Sequence, residues 1–112
     1  MSSRRAERID AGTAAVFAAL GDQTRLALLQ RLSRGGPASI SALANTFEGT
    51  RQGITKHLHV LAAAGIIDGE RRGREHVWAI NPDRLAAAGR HLQVIARGWD
   101  DALARLKAHV EE

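Results

Sequence analysis

The sequence predicts a mainly α-helical fold with five helices and one small β-hairpin of two strands. Apolar residues recur every three or four positions in five separate segments, which is the spacing of one helix face. After Gly65 this spacing stops, and two short apolar runs flank a basic segment that contains Gly73, as in a hairpin. The 112 residues, 45% of them apolar, suit one domain covering residues 1–112.

A glycine and a capping residue separate the first two predicted helices. The first helix is placed at about residues 10–20 and ends at Gly21. Asp22 is suited to cap the second helix, because its carboxylate can accept hydrogen bonds from the free N–H groups of the first turn. The apolar stripe of the second helix consists of Leu26, Leu28, Leu29 and Leu32. The Gly-Gly-Pro sequence at residues 35–37 ends this helix.

The third and fourth helices are joined by a tight turn. Ser39 is suited to cap the short third helix, Glu48 and Gly49 form the turn, and Thr50 is suited to cap the fourth helix, which stops at Gly65. The buried sides are expected to consist of Ile40, Leu43, Ala44 and Phe47 in the third helix and of Ile54, Leu58 and Leu61 in the fourth.

Two strands and a long helix complete the chain. The first strand is predicted at residues 66–67, the second at residues 76–80, and the hairpin tip at residues 70–74. Asn81 is suited to cap the last helix, with Pro82 at its first position, where a missing N–H has no cost. The last helix itself is predicted over residues 83–110.

Composition excludes several classes of protein. Cysteine is absent, which removes disulfides, thiolate nucleophiles and sulfur-ligated metals. The net charge of +4 favours a polyanionic partner, but few aromatic residues argue against single-stranded nucleic acid, which is bound by rows of stacked rings. No apolar run approaches the roughly 20 residues of a membrane span, and the N-terminus lacks a signal-peptide core, so we expect a cytoplasmic protein.

The predicted order of elements is the winged helix-turn-helix plan, in which the helix after the tight turn enters the DNA major groove. Linked motifs are Leu-Gly-Asp-Gln-Thr-Arg at 20–25, Leu-Ala at 43–44, Thr-Arg at 50–51, Ile-Thr-Lys-His-Leu at 54–58, Leu61, Ala-Gly-Ile-Ile at 64–67 and Arg-Arg-Gly-Arg at 71–74. With these motifs, residues 10–81 resemble the ArsR family of transcription regulators. Gln23 and Gly53 depart from the family pattern. The resemblance implies a homodimer that binds a palindromic double-stranded operator and acts as a repressor.

If the apolar face of the fourth helix is buried, its polar face is free to read DNA. The residues predicted to contact DNA are Thr50, Arg51, Gln52, Thr55, Lys56, His57 and His59 on this helix and Arg71, Arg72 and Arg74 in the hairpin. Arginine and glutamine suit guanine and adenine edges, whereas hairpin arginines suit phosphates or the minor groove. Three alternatives stay open: a solvated helix face, His57 packed between helices, and arginines neutralised by Glu70 and Glu75.

The last helix carries an apolar stripe along a length of about 42 Å, which is more than one small domain covers. In the family that the sequence resembles, the first and last helices form the dimer interface. The expected contacts between two copies are Val16, Phe17, Leu92, Ile95, Trp99, Leu103 and Leu106. The alternative is that the stripe packs wholly inside one copy.

No metal, cofactor or effector is predicted. The family's cysteine pair in the third helix is absent, and Ala96 and Gly98 stand where last-helix ligands would be needed upstream of His109. His109 and Glu112 share a helix face, but two ligands make a weak zinc site. A site assembled across the dimer from His91, His109 and nearby acids stays open.

The sequence disfavours an enzyme and leaves one function other than DNA binding open. The five histidines form no nucleophile–base arrangement and no phosphate-binding glycine loop is present, so we expect no enzyme activity. A winged-helix module that binds protein, without sequence-specific DNA binding, is the remaining alternative.

Overall fold

The computed structural model describes residues 11–111, so residues 1–10 and 112 of the predicted domain lie outside the described residues. The helices are α1 (Ala11–Leu20), α2 (Gln23–Gly35), α3 (Ile40–Thr46), α4 (Arg51–Ala63) and α5 (Pro82–Glu111). The strands are β1 (Ala38–Ser39), β2 (Ile67–Arg72) and β3 (Glu75–Ile80). Within the described residues, the predicted mainly helical fold with five helices is confirmed.

Side-chain caps begin four of these helices, as the sequence predicts. In each case a side-chain oxygen accepts a hydrogen bond from a backbone N–H of the first turn that has no partner inside the helix. The distances are 3.0 Å from Arg25 N to Asp22 Oδ2, 3.1 Å from Ala42 N to Ser39 Oγ, 2.9 Å from Gly53 N to Thr50 Oγ1 and 3.2 Å from Asp83 N to Asn81 Oδ1. These caps set the positions at which α2, α3, α4 and α5 begin.

The wing is part of a three-stranded antiparallel sheet in the order β1-β3-β2, so the prediction of only two strands is wrong. The additional strand, β1, pairs with β3 through Ala38 opposite Trp78 and Ser39 opposite Val77. Two residues are too few to show the alternation of apolar and polar side chains that marks a strand. Ser39 also caps α3, so its residue type pointed to a helix start instead.

The hairpin of β2 and β3 is longer than predicted. Arg72 and Glu75 are partners in the strand register, so residues 70–72 lie in β2 and not in the hairpin tip. The turn consists of Gly73 and Arg74, and Gly73 has a φ of 62°, which glycine adopts at little cost. Because residues 70–72 are charged and exposed, no apolar periodicity marks them as a strand.

One cluster of buried apolar side chains joins the helices to the sheet. Leu43 of α3 and Leu58 of α4 are fully buried, and the predicted apolar face of α4 is confirmed. Leu26 was predicted to belong to the apolar stripe of α2 that packs on the core. It is 53% exposed, so this prediction is wrong. It points away from the side of the helix that buries Leu28 and Leu32, about a third of a turn or more around the axis.

The long helix α5 packs on the rest of the chain only near its beginning. Ala88 is its one buried residue, and α1 is the element that it contacts most. The large apolar side chains of α5 from Leu92 onward are exposed. Over residues 11–111, no helix combines the length and the apolar character required to cross a membrane.

Candidate nucleic-acid interface

The two faces of α4 have different chemistry. Ile54, Leu58 and Leu61 hold one face against the core. Of the residues predicted to contact DNA, Thr50, Arg51, Gln52, Lys56 and His59 are exposed, and Thr55 and His57 are half-buried. The exposed face therefore presents the donors and acceptors that can bind base edges and phosphates.

The hydroxyl groups of Thr50 and Thr55 have opposite roles in their hydrogen bonds, because the first accepts and the second donates. Thr50 Oγ1 accepts the Gly53 N–H, which leaves its own O–H free to donate to a phosphate oxygen. Thr55 instead donates its O–H to the Arg51 carbonyl oxygen at 2.8 Å. Because a phosphate oxygen can only accept, Thr55 cannot bind one while that bond is kept. Thr50 is thus the better phosphate contact of the two.

The start of α4 depends on glycine at two positions, one in the turn before the helix and one in its first turn. Gly49 has a φ of 113°, a conformation that other residues rarely adopt. At Gly53, an added Cβ would lie 3.2 Å from Thr50 Oγ1, closer than an ordinary contact. Gly53, which departs from the family pattern, therefore leaves room for the capping hydroxyl at the first turn of α4.

His57 lies between α4 and the beginning of α2. Its Nδ1 atom is 3.3 Å from Arg25 Nη1 and 3.8 Å from Asp22 Oδ2. The pKa of Asp22 is lowered, chiefly because its carboxylate accepts the Arg25 backbone N–H, and further by the nearby positive charge of Arg25. Of the two alternatives left open for this histidine, the observed contacts are those of packing between helices.

The wing places its arginines at the exposed end of the β2–β3 hairpin. Arg71, Arg72 and Arg74 are all exposed. Arg72 Nη2 lies 3.4 Å from Glu70 Oε2, so this one arginine forms the pair that the sequence left open as an alternative. Both partners are more than 60% exposed, and a surface pair of this kind has little strength. Among the described residues, Arg71 and Arg74 have no carboxylate within 4.0 Å.

An aromatic contact that the sequence did not indicate links α4 to the wing. The Trp78 ring of β3 is buried, His76 stacks on it at 4.4 Å between ring centroids, and His59 of α4 lies 5.8 Å away. Gly69, the register partner of Trp78, makes room: an added Cβ would lie within 3 Å of both the His76 and Trp78 rings. Because the sequence predicted a first strand of residues 66–67 only, it did not place Gly69 opposite Trp78 and gave no signal for this contact.

The residues predicted at the dimer interface fall into two groups. Leu92, Ile95, Trp99, Leu103 and Leu106 of α5 are between 46% and 65% exposed, which leaves them accessible to a second chain. Phe17 is half-buried and packs on the core. Val16 is fully buried in the chain's own core, so its side chain is not accessible to a partner.

No metal centre is formed within residues 11–111, where no three histidine or acidic side chains come together as ligands. His109 is exposed near the end of α5, and His91 is half-buried. Glu112, the suggested partner of His109, lies outside the described residues. A site shared between two chains stays a hypothesis.

Similarity to known proteins decides the family. A model of a helix-turn-helix domain family matches residues 20–70, which include α2, α3 and α4. The HTH-type transcriptional regulator YuzN of Bacillus subtilis is 36% identical over 91 residues, which are 76% of this chain and 91% of YuzN. The structure of an ArsR-like transcriptional regulator from Rhodococcus sp. RHA1 is 39% identical, with a TM-score of 0.71 over 87% of this chain and 91% of that one. The chain belongs to the ArsR family of transcriptional regulators.

Two further proteins that resemble this chain have names that state an action or an assembly. The arsenical resistance operon repressor of Bacillus subtilis is 30% identical over 69 residues, 62% of this ArsR-family chain and 66% of the repressor. The homodimeric winged helix-turn-helix DNA-binding domain of Mb0332 from Mycobacterium bovis shares the fold, with a TM-score of 0.63 and 24% identity over 77% of this chain and 79% of that one. The winged helix-turn-helix fold and the family predicted from the sequence motifs are both confirmed.

Proposed function

We propose that this ArsR-family regulator binds a specific operator in double-stranded DNA, with α4 in the major groove. The division of α4 into a buried apolar face and an exposed polar face is the observation that supports this best. Arg51 and Gln52 are exposed in the first turn, the end of a recognition helix that reaches base edges. These side chains can form paired hydrogen bonds with guanine and adenine. Lys56, one turn later, suits a phosphate.

The wing increases affinity without reading sequence. Its three arginines stand at the exposed end of a hairpin whose backbone is held by six register pairs, from Ile67–Ile80 to Arg72–Glu75. Arg72 is partly balanced by Glu70, so Arg71 and Arg74 supply most of the attraction to DNA phosphates.

The active form is a homodimer on a palindromic operator, and it represses transcription. The exposed apolar stripe of α5 supports the dimer, because a stripe of this length requires cover in water. The homodimeric Mb0332 domain has the same fold, and the arsenical resistance operon repressor is a relative in sequence. Two copies related by a two-fold axis match two half-sites in inverted order.

Selection of bound fragments from a genomic duplex library identifies the operator, and binding curves then test recognition. We expect tighter binding to the selected operator than to a scrambled duplex, with both affinities falling as salt increases. Equal affinity for the two duplexes would contradict sequence-specific binding. A chain that binds no duplex but retains a protein partner would be the interaction module considered above.

The direction of regulation needs a separate test. With the operator placed between a promoter and a reporter gene, expression of the chain should lower reporter output. The matched control is the same reporter with a scrambled operator, which should not respond. An increase in output on the intact operator would contradict repression.

A further inference from the structure

The side chain of Arg25 contacts three helices at once. It belongs to the first turn of α2. Its Nε donates a hydrogen bond to the Ala19 carbonyl oxygen in the last turn of α1 at 2.6 Å, and its Nη1 lies 3.3 Å from His57 Nδ1 on α4. The carbonyl groups in the last turn of a helix have no partner within that helix. Arg25 therefore completes the end of α1 and contacts α4 with the same guanidinium group.

The contact with Arg25 determines which ring nitrogen of His57 accepts a hydrogen bond and which carries the proton. A guanidinium has only donors, so a hydrogen bond from Arg25 Nη1 requires that Nδ1 of His57 accept it. In the neutral imidazole the proton is then on Nε2. Asp22 Oδ2, at 3.8 Å from Nδ1, is too far for a hydrogen bond but holds a negative charge beside Arg25.

We propose that Asp22, Arg25 and His57 form a positioning network, through which His57 Nδ1 holds α4 at the angle required for base reading. His57 is then a positioning residue that acts on Arg51 and Gln52 by orienting their helix, and it does not itself bind a phosphate. The proposal rests on the proposed function, because it assigns a means of discrimination to an operator-binding α4.

The position of His57 supports a role in orienting the whole of α4 over a role limited to its immediate neighbours. Around the axis of α4, His57 lies between Ile54 and Leu58, which face the core, and Lys56, which faces solvent, so it lies at the edge of the buried face. The core contacts of α4 are apolar and non-directional, whereas the hydrogen bond from Arg25 adds a directional contact at one defined atom, Nδ1 of His57. Arg25 joins this edge to the end of α1, a helix that packs on α5, so the network links the two helices of the proposed dimer interface to the reading helix.

Two substitutions of His57 separate its nitrogen atoms. The amide of asparagine can place its oxygen near the position of Nδ1, whereas the longer glutamine places its amide near the position of Nε2. If Nδ1 is the important atom, His57→Asn keeps operator affinity within about twofold. His57→Gln and His57→Ala should each lose about tenfold, the effect of one charged hydrogen bond. The reverse order, with glutamine active and asparagine inactive, would overturn the proposal in favour of a contact through Nε2.

A second readout separates positioning from phosphate binding. Loss of a positioning contact displaces the base-reading side chains, so operator affinity falls while affinity for scrambled duplex stays the same. Loss of a phosphate contact weakens both duplexes alike and reduces the salt slope by about one. Equal losses on the two duplexes for His57→Ala would therefore also overturn the proposal.

The partner side of the network is tested with Arg25→Ala, with Arg34→Ala as the control. Arg34 is an exposed arginine in the last turn of the same helix, so its loss removes the same charge without the network. We expect Arg25→Ala to lose about tenfold on the operator, Arg34→Ala to be unchanged, and Arg25→Ala with His57→Ala to lose no more than Arg25→Ala alone. Additive losses in the double variant would show that the two side chains act separately.

These outcomes are distinct from failure of the proposed function. A wild-type chain that does not distinguish operator from scrambled duplex would refute operator recognition before any variant is measured. A discriminating wild type with an inactive His57→Asn variant would refute the positioning network alone. Circular dichroism of each variant at the temperature of the binding experiment confirms that it is folded.

Discussion

The part of the chain before Leu92 and the part from Leu92 onward use apolar residues in opposite ways. In the first part, Leu28, Leu43 and Leu58 are fully buried by their own chain. In the second, every large apolar side chain of α5 is between 46% and 74% exposed. The two parts have similar residue types, so the difference lies in what covers them. The first part buries its apolar side chains within one chain, and the second leaves an apolar stripe that the proposed dimer would cover.

The largest expected effect comes from removing buried volume in the first part. Leu58→Ala should lower the free energy of unfolding by about 2–5 kcal/mol, because it removes buried methyl groups and leaves a cavity. Urea denaturation at two protein concentrations measures this loss, which should be the same at both. The matched control is Leu106→Ala, whose cost should depend on protein concentration. An equal loss for Leu106→Ala at all concentrations would mean that α5 packs inside one chain.

Charge on the exposed stripe should separate two copies without unfolding either. Trp99→Glu places a charge in an apolar interface, so light scattering should report a monomer. Operator affinity should then fall by about 100-fold or more, because the second half-site no longer binds as part of one molecule.

The control for this variant lies on the same helix. At 100° per residue, Val94 points away from Leu92 and Trp99, although it is 64% exposed. Val94→Glu should therefore leave the dimer intact. If Val94→Glu disrupted the dimer as strongly as Trp99→Glu, the interface would not follow the predicted stripe.

The sequence predicted the elements whose signals are local. Capping residues such as Asp22 and Thr50 set helix starts, and the period of Ile54, Leu58 and Leu61 identified the face of α4 that is buried. These features depend on residues within one or two turns, which a sequence displays directly.

What the sequence did not predict depends on partners distant in the chain. β1 is a strand only because β3 lies beside it, and Trp78 is buried beneath His59, which is 19 positions away in the chain. Val16 has the spacing of an interface residue and of a core residue equally, so only the packed structure distinguishes the two. Arg25 and His57 are 32 positions apart, and neither residue type suggested their contact.

A smaller effect should distinguish the two DNA-facing regions of the first part. Arg51→Ala or Gln52→Ala should cost about 1–3 kcal/mol per half-site on the operator and little on scrambled duplex, because base-edge contacts are lost. Arg74→Ala should weaken both duplexes alike and reduce the salt slope by about one, as expected for a phosphate contact. Wing variants that lost discrimination while Arg51→Ala kept it would reverse the assignment of the reading element.

The smallest expected effect concerns acid stability and the cap of α2. The pKa of Asp22 in the folded chain is below its ordinary value of 3.8, first because its carboxylate accepts the Arg25 N–H. A carboxyl group with a depressed pKa stabilises the folded state above its unfolded pKa, and this contribution is lost as the pH falls through the folded pKa. Melting temperatures of wild type and Asp22→Asn, measured from pH 6 to pH 3, should therefore converge as the pH decreases.

Asparagine isolates the charge in this comparison because it also caps helices but does not titrate in this range. Asp22→Ser, a second uncharged cap, should show the same convergence with wild type at low pH. Because the carboxylate lies in the packed first part of the chain, the convergence should be independent of protein concentration. A constant difference between wild type and Asp22→Asn at every pH would show that the shape of the cap, and not its charge, stabilises the start of α2.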